Sequence, residues 1–182
     1  MNPMRRDTGP APFPRSAAAG AFAACLLALA PAANADEPLP LDKAVQVSAP
    51  GGAYRAIATP DPARITIVET HEPEAALWSF ETYRRDPMLS EDGRTLLLPP
   101  RSGSLLDTDD PDQTVLTLVR APGILLRWIR LGDVIGRDDL QRTASHWRWM
   151  DRIAWHDGAW TLTRPDGSAL RIGVDGTIGA RP

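Results

Sequence analysis

Between residues 145 and 174, apolar and polar side chains alternate with the period of two that marks a half-buried strand. Asp157-Gly158 and Asp166-Gly167 interrupt the alternation. Ile153, Trp155, Trp160 and Leu162 share one face only if the Asp157-Gly158 loop holds two residues; a three-residue loop would send the two indoles to opposite faces. The next turn requires the other choice. Only a three-residue loop sets Leu162 against Leu170 and Trp160 against Ile172, with Pro165 at the second turn position and Gly167 in the left-handed one. Ser145, Trp147 and Trp149 share one parity, and His146 and Arg148 the other, so the indoles face a core and the basic groups face solvent. The pattern predicts a three- to four-stranded antiparallel meander over 145–174.

Upstream, alternation begins at Val45 and Val47, breaks at Pro50-Gly51-Gly52 and resumes with Tyr54, Ala56 and Ala58 on one face. Pro60-Asp61-Pro62 turns the chain into Ile65–Val68, which reads as a hairpin with the preceding strand. Further strands are expected at 77–83, with Trp78 and Phe80 together, at 95–98 after the turn Ser90-Glu91-Asp92-Gly93-Arg94, and at 114–120. Residues 124–131 are apolar on both faces and read as a central strand. Helical spacing occurs only at 132–143, where Val134, Ile135 and Leu140 suggest a short helix or two 3₁₀ turns. The fold class is therefore all-β: an antiparallel meander of about ten strands, such as a compact β-sandwich, with one short helical segment.

The succession Ser48–Ala56, Leu77-Trp78-Ser79-Phe80 and Ser90–Leu98 resembles the "Ser-x-Asp-Gly-Arg, then strand" repeats of β-propeller proteins of the TolB and WD-repeat type. The resemblance implies blades whose neighbouring strands are joined by Asp-Gly turns, and a role as an interaction platform. At 40 to 45 residues per blade the chain would hold about three blades, and an incomplete ring would close by self-association. The layout that includes Thr143–Trp149 is also similar to that of exported bacterial proteins, a likeness that implies no activity.

The amino end stands apart. Arg5 and Arg6 precede an apolar run from Ala17 to Ala30, and Ala33-Asn34-Ala35 fits a small-x-small cleavage site, so residues 1–35 read as a secretory signal peptide cleaved after Ala35. The expected destination is the periplasm or the exterior. Phe22-Ala23-Ala24-Cys25 offers a lipoprotein box, but the apolar run continues past the cysteine; Arg5-Arg6 offers a twin-arginine start, but Asp7-Thr8-Gly9 lacks the apolar residues that should follow. Residues 36–44 form a polar lead, and 45–182 a single domain able to bury a core. Cleavage removes the one cysteine, so no disulfide is expected. From residue 36 onward 17 Arg and Lys face 22 Asp and Glu, which argues against nucleic acid as a partner. No second apolar segment is long enough to span a membrane.

Catalytic signatures are absent: the chain has no Gly-x-Ser-x-Gly elbow, no Gly-x-Gly-x-x-Gly turn and no phosphate loop, and no cofactor is expected. Ser145 and His146 are neighbours, and on a strand neighbours point to opposite faces, which excludes a dyad. Two metal readings exist. His146 and His156 with Asp107 or Asp157 would suit a metal-dependent hydrolase, and Asp107, Asp109 and Asp112 offer calcium-type oxygen ligands, although Pro111 interrupts their loop. The remaining reading is a non-catalytic binding or interaction domain. Its partner would be an envelope protein, His146, Trp147, Arg148 and Trp149 would be the contact residues, and self-association is the structural alternative.

Overall fold

The computed structural model describes residues 42–71 and 75–180. The leader expected over 1–35, most of the 36–44 lead and Pro73 lie outside the described residues. Strands β1 (Val45–Ser48), β2 (Tyr54–Pro60), β3 (Ala63–Glu69) and β4 (Ala76–Phe80) pair in chain order as a first sheet. A second sheet runs β5 (Met88–Leu89), β6 (Thr95–Leu98), β8 (Thr114–Arg120), β9 (Ile124–Arg130), skipping β7 (Leu105–Leu106). The third is β12 (Arg152–His156), β13 (Ala159–Thr163), β14 (Ala169–Gly173) and β15 (Ile178–Ala180). β7 pairs instead with β11 (Trp147–Arg148), which pairs with β10 (Gln141–Arg142) in a small sheet. Every pairing is antiparallel, so the all-β meander is the observed architecture. The helical spacing resolves into one turn of helix, α1 (Leu131–Val134), and a 3₁₀ turn at Arg137–Asp139.

Turn chemistry sets the third sheet. Asp157 and Gly158 have φ of 48° and 75°, the two left-handed residues of a two-residue hairpin loop, and Trp155 pairs with Trp160 and Ile153 with Leu162. The two rings meet edge to face, 5.0 Å between centroids. At the following turn Gly167 takes φ 83°, Arg164 and Ser168 close the loop through a backbone bond of 2.9 Å, and Leu162 pairs with Leu170 and Trp160 with Ile172. These registers match the expectation. Its outer limit does not: the meander covers 152–180 rather than 145–174. Residues 144–146 bend instead of extending, so β11 joins the small sheet, and the fourth strand comes from β15 after the Asp175-Gly176 turn.

The second sheet is packed on both faces. Leu97, Leu118 and Ile129 share a core with Trp160, Leu162 and Ile172 of the third sheet, while Leu96, Leu98 and Val119 share another with Ala56, Ile65, Ile67 and Trp78 of the first. All four residues of β6 are buried for this reason. Full burial of each Leu or Ile contributes about 1.5–3 kcal/mol.

The turn Ser90–Arg94 clasps two sheets together. The Ser90 hydroxyl donates to Asp92 Oδ1 at 2.6 Å and accepts from the Thr95 amide at 2.9 Å, while Trp78 Nε1 donates to the Gly93 carbonyl at 2.9 Å. Gly93 has φ 68°, and a Cβ there would lie 2.6 Å from the Tyr54 ring, so glycine is required twice over.

The strand over 124–131, expected to be central, is an edge. β9 ends the second sheet, bonded to β8 alone among the described strands. Ile129 is buried, but Ile124, Leu125, Leu126 and Trp128 are exposed.

Candidate binding surface

The residues singled out from sequence fall in and beside the small sheet. Trp149 is buried in the core that also holds Trp160, and its Nε1 donates to the Gly103 carbonyl at 3.0 Å. Trp147 packs half-buried against the same core with the Arg142 guanidinium 5.1 Å from its ring centroid, a cation–π contact. Arg148 pairs with Asp151 at 2.8 Å and keeps part of its side chain in solvent. The two indoles thus face the core, as parity requires, and Trp149 has no surface to offer a partner.

His146 corrects an expectation. Ser145 Oγ lies 2.7 Å from His146 Nδ1, and His146 Nε2 lies 3.2 Å from Asp107 Oδ1. The exclusion of a shared proton assumed strand geometry, but 144–146 form a bend in which the His146 amide donates to Thr143 Oγ1 at 3.0 Å, and neighbouring side chains can then meet. With the hydroxyl donating to Nδ1, Nε2 carries its hydrogen toward Asp107. The row has the residue types of a hydrolytic triad without its setting: a triad carboxylate is buried, whereas the Asp107 side chain is 92% exposed.

The other candidates are dispersed. His156 stands on β12 of the third sheet beside Asp157, with Nδ1 at 3.1 Å from the carboxylate, whereas His146 and Asp107 lie in bends next to β11 and β7. Asp109 is taken by Arg137 at 2.7 Å and Asp112 by Arg130 at 2.8 Å. Asp107, Asp109 and Asp112 thus each answer a different basic side chain, which draws them apart rather than around one ion. Among the described residues no group of three or more metal-ligating side chains gathers.

What the sequence reading missed is the β9 edge. Among the described residues, four of the five large exposed apolar side chains, Ile124, Leu125, Leu126 and Trp128, lie in this one strand, and Trp128 is 63% exposed. Such clustering marks a contact surface, whereas scattered exposed leucines do not. The strand is fixed at its flanks. Arg127 donates to the Gly176 carbonyl at 2.7 Å, and Arg130 pairs with Asp112. Leu126 is an extra residue, since Leu118 pairs with Arg127 while Val119 pairs with Leu125, and the bulge bends the strand at its midpoint. The available signal was Arg127 and Arg130 within the apolar run, because a strand buried on both faces rarely carries two guanidinium groups.

No family model matches the chain, and no curated protein matches it either.

Proposed function

We propose that this chain is an exported, non-catalytic binding domain that takes an extended, apolar segment of a partner protein along the open edge of β9. The observation that carries the reading is the concentration of exposed apolar side chains on an unpaired strand. An edge supplies free backbone donors and acceptors for an added strand, and Ile124, Leu125 and Trp128 supply apolar contact. The bulge at Leu126 favours a foreign segment over a second copy: two bent edges meeting about a two-fold axis would oppose their bulges, whereas a flexible segment follows the bend.

Capture from envelope extract, compared between the natural chain and Leu126→Lys, tests this. A partner held by the first and released by the second, with the free chain monomeric by light scattering, supports the reading. A dimer at micromolar concentration that Leu126→Lys dissolves points to self-association. Hydrolysis at Ser145 is the second reading, favoured by the Ser145–His146–Asp107 row alone; covalent labelling of Ser145 by a fluorophosphonate would establish it over binding.

A further inference from the structure

Beside Trp128, the segment after β4 and the loop after β6 enclose a pocket of about 290 Å³ whose lining includes Arg84, Pro99, Pro100, Arg101, Thr117 and Trp128. Two cations share this space. Arg84 is held from behind, its Nη1 donating to the Tyr83 carbonyl at 2.8 Å and to Thr82 Oγ1 at 3.3 Å, while its Nε is buried without a hydrogen-bond partner. Arg101 pairs with Asp42, but that carboxylate also binds Arg85 at 3.3 Å. Asp42 is thus shared between Arg85 and Arg101, and among the described residues no carboxylate pairs with Arg84. Burial, and then the nearness of Arg101, lower the Arg84 pKa from its ordinary value, as two cations without enough counter-charge require.

We propose that Arg84, Arg101 and Trp128 form a binding site for a small ligand whose oxyanion, a carboxylate or a phosphate, meets the two guanidinium groups while its ring lies on the indole. Guanidinium forks match both oxyanions in geometry, and the exposed indole gives a flat apolar wall at the pocket's side. The volume sits at the small end of ligand pockets, about 300 Å³, and suits a group the size of one acidic sugar. The site goes beyond the partner reading and stands without it, since the arginines would hold an anion whether or not β9 takes a strand.

Titration of the full chain with glucuronate, glucose 6-phosphate and glucose tests this by nuclear magnetic resonance of the arginine Nε–H groups and by tryptophan emission. Either acidic sugar should shift the Arg84 signal and change the emission at millimolar concentration, and glucose should do neither; the tighter of the two acids tells carboxylate from phosphate. Arg101→Gln should weaken binding about tenfold or more, as loss of a charge-assisted pair does. This variant also serves if Arg84→Gln fails to fold, because the Arg101 side chain is 63% exposed. Leu126→Lys should leave acidic-sugar binding unchanged, which separates this site from the partner edge. No response to either acid, an equal response to glucose, or full affinity in Arg101→Gln overturns the proposal.

Discussion

The third sheet and the β9 edge are made of the same materials and meet opposite fates. Trp160, Leu162 and Ile172 are buried, while Ile124, Leu126 and Trp128 stand in solvent, although all six are apolar side chains on extended backbone. In the third sheet, Asp-Gly turns fix a register that sends Trp160, Leu162 and Ile172 into the core that holds Leu97, Leu118 and Ile129. β9 has β8 on one side and, among the described strands, none on the other. Burial therefore depends on what lies past the strand as much as on the strand itself.

The sharpest way to break this contrast is to truncate one tryptophan from each region. Trp160→Ala should cost about 3–5 kcal/mol in urea unfolding, as for a buried Trp, and Trp128→Ala less than about 0.5 kcal/mol. Equal losses would mean that β9 is covered. Next in size is Gly93→Ala. Its positive φ and the Tyr54 ring in the path of the added Cβ should together cost about 1–3 kcal/mol, read as a lower melting temperature, because the change disturbs the clasp between first and second sheets. A neutral result would show that Tyr54 moves aside freely.

Leu126→Lys should leave stability within about 0.5 kcal/mol of the natural chain while abolishing capture, since charge on an edge blocks strand addition. The smallest expected effect lies in acid. Asp166 is held below the usual carboxylate range first by the Ser168 hydroxyl and then by the Ser168 amide; Asp175 is held there first by the Thr177 amide and then by its hydroxyl. A carboxyl whose folded pKa is depressed stabilises above its unfolded value of about 3.9 and loses that contribution as pH falls through the folded one. The turns of the third sheet should thus hold across neutral pH and loosen only in strong acid. Carboxyl carbon titration of both residues should give midpoints below the ordinary value, and ordinary midpoints would show that the turn bonds do not persist in solution.

Local chemistry explains what could be read in advance. The hairpin registers at Asp157-Gly158 and Arg164–Gly167 were legible because parity permits one loop length at each turn. The apolar run 124–131 was legible as a strand but not as an edge, since a central strand and an open one can have the same two-faced composition. Ser145 and His146 were read as strand neighbours because nothing in their types announces a bend, and only the Thr143 hydroxyl bond reveals it. Arg84 and Arg101 lie far apart in sequence number, and the fold alone sets them around one pocket.

Amide hydrogen exchange of the chain with and without its captured partner tests the assignment of β9 most directly. Protection gained over 124–130, with 152–180 unchanged, is the result predicted here. Protection confined to 145–149, or none within 124–130, would contradict it.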